Sequence, residues 1–206
     1  MIALRLSVPI ACWRKAHARE LLETEPLPPP ATVYGALLSL VGESDRRRHL
    51  GARVTAGLFN KPRCSQVLRS LWRVKNEKAP RGTGNNVKPD FQQLLTNADL
   101  LVLCDGAEEE QRPTLEERVR QALHFPDTVD RFGGWCLGES THLINDVHEL
   151  TSLANPAEVF LEGGARDVTM PVWVDHVGSA KTKYASGAFE VCQALPDRAR
   201  VPRIVA

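Results

Sequence analysis

PPPATVYGALLSLVGE, residues 28–43, is the stretch on which the fold turns. Its three prolines cannot sit inside a helix, because each lacks an amide hydrogen and clashes with the preceding turn. They are tolerated up to the first turn. Beyond them Val33, Leu37, Leu40 and Val41 recur at helical spacing, and Tyr34 and Leu38 broaden the stripe. Gly42 supplies a stop. The pattern predicts a rigid extended lead-in that delivers a short apolar helix against a core. Its amino-terminal end, with Thr32 as cap, is expected to face outward, where free amides favour anions. The plainer alternative is an ordinary first helix.

Toward the amino terminus, Ile2 to Ile10 alternates, with Ile2, Leu4, Leu6 and Val8 on one side, which predicts a half-buried strand. Trp13, Arg14 and Lys15, followed by His17 and Arg19, leave it as a basic loop with one large aromatic. Such a set can stack a base and hold its phosphate; Trp13 serves equally well as a core-edge residue. Toward the carboxyl terminus, Asp45–Leu50 reads as a helix end or turn, and Arg53–Leu58 and Gln66–Val74 read as strands. Arg69 and Arg73 share one face of the second, which asks for something negative there. Lys75–Pro89, KNEKAPRGTGNNVKP, has no periodicity and reads as a long loop or irregular hairpin. Its glycines lack the GxxxxGK[ST] spacing, which excludes nucleotide hydrolysis of that type. Asn97–Asp105 is a continuous apolar run, expected as a buried strand, and Arg112–Phe125 a helix with early acids. Phe132–Asp146, FGGWCLGESTHLIND, brings Gly133, Gly134 and Gly138 around Trp135, Ser140 and His142, which suits either a ligand-approaching loop or a tight turn with a packed Trp. Thr169–His176 and Gly187–Val191 are expected as closing strands, joined by a loop with Lys181, Lys183 and Tyr184.

The chain has 206 residues, 43% apolar and 25% charged, so it is expected to be one globular domain, 1–206, with an insertion at about 75–89 and a β-rich segment at about 147–206. No apolar run approaches the roughly 20 residues a membrane helix needs, and the first residues have the wrong order for a signal peptide. Five scattered cysteines without a CxxC pair suggest free thiols in a reducing cytoplasm. His142 and His148 are wrongly spaced for shared helical ligation, and neither metal nor cofactor is expected.

Net charge is +1, but it is unevenly spread. From Arg46 to Lys88 there are twelve Lys or Arg and one acid, Glu77, so that segment carries +11. The rest, with 14 bases and 24 acids, carries −10. Such polarisation points to a polyanion, and to nucleic acid first; a solvated basic face is the alternative.

With these stretches laid out, LPPPATVYGALLSLVGE (27–43), LWRVKN (71–76), PDFQQLL (89–95), GGWCLGESTHLIND (133–146) and PVWVDHVGSA (171–180) resemble a known family. It is the fifth Cas family, of the RAMP superfamily: the subunit that caps the 5′ handle of the crRNA in type I CRISPR Cascade complexes. Within it the chain resembles the myxobacterial-type form. The resemblance implies an α+β, ferredoxin-like (RRM/RAMP-type) domain with an inserted basic thumb hairpin and a β-rich C-terminal portion. It implies crRNA binding by the thumb, Lys75–Pro89, by the first helix through Thr32 and Tyr34, and by a Gly-rich loop, Gly133–His142. The expected partners are the crRNA, the Cascade backbone (filament) subunit, the large subunit and target DNA in the assembled complex, with transposition proteins where the system is transposon-associated. No membrane partner is expected, and the location is cytoplasmic.

Phosphate contacts are assigned to Lys75, Lys78, Arg81 and Lys88, and base contacts to Trp13, Trp135, Asn85 and Asn86; Arg14, Lys15, Arg73, Asn76, Gly133, Gly134, Gly138, Ser140 and His142 complete the expected RNA-binding set. The expected role is non-catalytic. One branch of the family cleaves its own repeat RNA with a Tyr, a Lys and a His, and Tyr34, His142, Lys181 and Tyr184 are the nearest residues of those types. Metal-independent processing of repeat RNA is therefore the alternative. A small-molecule enzyme binding a phosphorylated ligand is a third reading, but no acid–base constellation supports it.

Overall fold

The computed structural model describes residues 1–16, 18, 20–72, 75–131, 133–175 and 180–206, with Leu71 described by its backbone alone. Arg73, His17, Arg19 and His176, named above, lie outside the described residues.

The longest element is a strand, Val87–Asp105, whose two halves have different neighbours. In chain order the strands are β1 Ile2–Ala11, β2 Leu21–Leu22, β3 Arg53–Leu58, β4 Arg63–Trp72, β5 Val87–Asp105, β6 Asp146–Leu150, β7 Ala157–Glu162, β8 Val168–Trp173 and β9 Lys183–Cys192. The helices are α1, Pro30–Leu40, and α2, Leu115–His124. One sheet runs β6-β1-β5-β3-β7-β9-β8, every neighbouring pair antiparallel, with β4 and the short β2 added along β5. The carboxyl half of β5 lies between β1 and β3, and Leu100 to Cys104 are buried on both faces, as their unbroken apolar run requires. The amino half leaves the body as a hairpin with β4, registered from Arg63↔Thr96 to Trp72↔Val87.

The changeover falls at Asn97, whose φ of 57° is left-handed. There the Asn60 amide donates to the Asn97 carbonyl at 2.7 Å, and its oxygen accepts from the Asp99 amide at 3.1 Å. One side chain thus fills the ladder gap where β3 hands over to β4. The expectation of a strand beginning at Asn97 was therefore too short: PDFQQLL is strand, and the basic loop spans 75–86 between β4 and β5.

Helix α1 forms as its sequence predicts: Val33, Tyr34, Leu37, Leu38, Leu40 and Val41 are all buried against the sheet, chiefly β3 and β8. Burying each large aliphatic side chain contributes about 1.5–3 kcal/mol. The cap expectation is corrected: Pro29 occupies the N-cap position with no side-chain cap, and Thr32 lies inside the first turn. Gly42 ends the helix with φ +66°, and the next amide, Glu43, bonds back to the Leu38 carbonyl at 2.9 Å. Helix α2 starts on a capping box, the Thr114 hydroxyl accepting from the Glu117 amide while the Glu117 carboxylate accepts from the Thr114 amide at 2.7 Å.

Strand β6 and strand β7 went unread in the sequence, and β9 starts at Lys183, four residues ahead of expectation, so Lys183 and Tyr184 are strand rather than loop. The expected α+β class holds in its coarse form: two helices on a large antiparallel sheet.

Candidate functional site

The exposed side of α1 opens on a groove of about 620 Å³. Its floor is Ala31, Thr32, Gly35 and Ser39; its walls are the segment after β1 (Cys12 to Arg14), the turn at Gly138–Glu139, and Trp173 at the end of β8 with Val174. The structure thus brings Trp13, Arg14, Thr32, Tyr34 and Gly138 together, from segments far apart in sequence.

Their chemistry differs from residue to residue. Trp13 is only 2% exposed and its indole packs on Gly138, where a Cβ would lie 3.2 Å from Cδ1. It is a wall of the groove, and its ring is not presented for stacking; the core-edge alternative is the one realised. Tyr34 is buried and its hydroxyl donates to the Arg46 carbonyl at 2.8 Å, while burial pushes the phenol well above its usual pKa. Arg46 had been noticed only as part of a basic run. Its guanidinium lies 4.1 Å from the Trp173 ring centroid and donates to the Val174 carbonyl at 2.8 Å, so a cation is fixed on the groove wall. Arg14 is exposed and donates to the Ala18 carbonyl at 3.0 Å, and the Lys15 ammonium lies 3.6 Å from the Glu23 carboxylate.

The glycine-rich turn is packed as well as open. Trp135 is buried and its indole N–H donates to the Ala36 carbonyl of α1 at 2.8 Å, so it ties the turn to the helix. Gly133, φ +76°, has open space around it; Gly134 lies against Leu143. Ser140 is exposed. His142 is 7% exposed; its Nδ1 has no partner and its Nε2 is 4.0 Å from Glu139. Burial lowers its pKa, partly opposed by Glu139.

Glu139 connects this turn to the hairpin. Its carboxylate accepts from Arg69 at 2.9 Å and from the buried Gln92 amide at 2.7 Å, and Arg69 also donates to the Gln92 oxygen. The negative group that Arg69 asked for is therefore the protein's own.

At the far end of the hairpin, Lys75, Asn76, Lys78, Arg81 and Asn85 are exposed, while Asn86 is 1% exposed. The Asn86 oxygen accepts from the amides of Lys75 and Asn76, both at 2.9 Å, and its nitrogen donates to the carbonyls of Asn76 at 2.8 Å and Ala79 at 2.9 Å. Asn86 holds the loop in shape, and base reading is not open to its amide. Lys88 sits 2.7 Å from the buried Asp90 carboxylate, so its charge is already paired. Among the described residues Lys75, Lys78 and Arg81 form no ion pair, which leaves their charges free for a polyanion.

A second buried cluster lies away from the groove. His49 and Glu109, both fully buried, meet at 2.6 Å, and Glu109 also accepts from the Leu115 amide at the start of α2. Arg118 contacts His49 Nε2 at 2.9 Å and donates to Glu43 at 2.6 Å. Arginine has donors only, so Nε2 accepts and the His49 proton sits on Nδ1, toward Glu109. The cluster ties both helices together.

Comparison with known proteins places this architecture. Residues 1–150 match the family model described as CRISPR-associated protein (Cas_Cas5). The chain is 56% identical, over 99% of its length and 97% of the relative's, to CRISPR-associated protein Cas5 of Myxococcus xanthus (strain DK1622). Two solved structures share the fold: a chain of a CRISPR RNA-guided surveillance complex, with TM-score 0.59, 14% identity and coverage of 95% of this chain and 91% of that one, and a Cas protein crystal structure, with TM-score 0.56, 16% identity and coverage of 98% and 97%. By the family match and the near-full-length relative, the chain belongs to the CRISPR-associated Cas5 family.

Proposed function

We propose that this chain is a non-catalytic, crRNA-binding subunit of a type I Cascade complex that caps the 5′ handle of the guide. The observation that carries the reading is the hairpin tip, where Lys75, Lys78 and Arg81 stand exposed and, among the described residues, unpaired on a loop fixed by Asn86. Cations held ready in this way gain affinity by releasing counterions from RNA. The surveillance-complex chain of like fold supports the setting. We read β1-α1-β3-β5-α2-β6, with sheet order β6-β1-β5-β3, as the ferredoxin-like arrangement of a single RAMP-type domain, 1–206. The β4–β5 hairpin is then its thumb and β7–β9 its C-terminal portion.

In this role the handle runs from the thumb, past the Arg69–Glu139 contact, to the groove on α1, where Arg46, Thr32 and Arg14 meet it. The backbone subunit, the large subunit and target DNA are the partners in the assembled complex. No described helix is long and apolar enough to cross a membrane. A non-catalytic role is supported by Tyr34, whose phenol is buried and hydrogen-bonded to a backbone carbonyl, a poor position for accepting a proton.

The test is the full chain with labelled RNA of its own CRISPR repeat, in EDTA, across a salt series. Intact RNA retained at the handle end, more weakly as salt rises, supports the reading. A discrete cut in EDTA supports repeat processing and contradicts it.

A further inference from the structure

Trp72 ends β4 opposite Val87 and is 72% exposed, whereas Trp13, Trp135 and Trp173 are 2%, 9% and 5% exposed. An indole left so far in water is a poor structural choice, since burial of that ring is worth more than that of most side chains. Its surroundings are nevertheless ordered. Gly82, φ +74°, lies so close that a Cβ there would fall 2.8 Å from both Cε2 and Nε1 of the ring and 3.2 Å from Cζ2. Only a residue without a side chain lets the loop rest on the indole there. The loop is itself pinned by Asn86, whose amide bonds to the backbone at Lys75, Asn76 and Ala79. So the chain holds an exposed aromatic ring in place against the loop that carries Lys75, Lys78 and Arg81, which form no ion pair among the described residues.

Resting on the RNA-binding reading above, we infer that the Trp72 indole, seated on Gly82, is a stacking platform for one unpaired base of the bound RNA, with Lys75, Lys78 and Arg81 on the neighbouring phosphates. A base presents a flat π face that an indole matches without sequence preference, and the adjacent cations match the backbone on either side. A protein partner docking here would have to bring acids to three cations as well as an apolar patch. Nucleic acid supplies both features in every nucleotide.

The experiment measures binding of labelled CRISPR-repeat RNA to the full chain across a salt series, for wild type, Trp72→Ala, Trp72→Phe and Gly82→Ala. Trp72→Ala is expected to weaken binding roughly 5- to 100-fold and to leave the salt slope unchanged, because no phosphate contact is lost. Gly82→Ala, which alters no charge, should weaken binding in the same way by displacing the ring, and Trp72→Phe should retain most of the affinity. RNA should quench tryptophan emission in wild type and much less in Trp72→Phe, since the other three indoles are buried. Affinity of Trp72→Ala within about twofold of wild type, or equal quenching in Trp72→Phe, would overturn the inference and leave the RNA-binding role standing. Loss of co-purifying complex subunits with RNA affinity intact would assign the ring to a protein partner and overturn it too. Failure of wild type to bind the RNA would overturn both.

Discussion

Arg69 on the hairpin and Glu139 in the glycine-rich turn meet at 2.9 Å, 70 residues apart in sequence, with the buried Gln92 bonded to both. Two segments that the sequence marks separately, one basic and one rich in glycine, are thereby held as one surface. The hairpin is otherwise joined to the body by the continuing strand β5, by the short pairing of β2 with Phe91 and Gln92, and by the end of β1 at Leu95 and Thr96.

Breaking that contact should loosen the hairpin without unfolding the body. Glu139→Gln keeps the shape but removes the charge, and is expected to cost about 1–2 kcal/mol, since the pair is partly solvated. Urea unfolding should show a lowered midpoint, and hydrogen exchange should rise in Val87–Thr96 ahead of Ala98–Asp105.

Gly42→Ala should be more damaging. The residue sits at φ +66°, and a Cβ there would lie 2.2 Å from the Asp130 carbonyl oxygen. Either α1 ends differently or the segment around Asp130 moves. A loss of about 2 kcal/mol or more is expected, read from thermal or urea unfolding.

Tyr34→Phe leaves the Arg46 carbonyl without its donor inside the protein. A loss of about 1–2 kcal/mol is expected, and RNA retention should fall modestly as Arg46 loosens. The repeat RNA should remain intact with both forms of the protein.

Acid should weaken the fold from near neutrality downward. Burial lowers the pKa of His142 from its ordinary 6.5, so below about that value the unfolded chain takes up a proton the folded one resists. Stability is then lost as pH falls through that range. Glu43 acts in the same direction lower down: burial disfavours its charge, but the bond from Arg118 outweighs this and holds its pKa below 4.5, and its contribution disappears as pH falls through the lowered value. Unfolding free energies from pH 7 to about 5 should decline for wild type and flatten in His142→Asn.

The elements set by local chemistry were legible in advance. Three prolines, a six-residue apolar stripe and a terminal glycine define α1, and early acids mark α2, whose Thr114 cap the structure adds. Val87–Thr96 was not legible as strand. It leaves the core, so one face carries Asp90 and Gln92 toward polar partners and the other leaves Phe91 exposed, and no alternation of apolar and polar residues survives. Tertiary packing decided the aromatic residues: Trp13 and Trp135 are buried by contacts with Gly138 and Ala36, which nothing near them in sequence announces. Asn86 reads in the sequence as a base-contacting residue, yet its amide is spent on organising the loop. Arg46 gains its place from Trp173, far along the chain, and a basic run alone gives no hint of that partner.

The central claim is that the exposed cations of the hairpin tip hold RNA, and one measurement bears on it most directly. Repeat-RNA affinity of the full chain is compared, across a salt series, with that of the double variant Lys78→Glu, Arg81→Glu, with circular dichroism as the check on folding. The account predicts a folded variant with binding reduced at least tenfold and a shallower salt slope. A folded variant that binds as tightly as wild type, with the same slope, would contradict it.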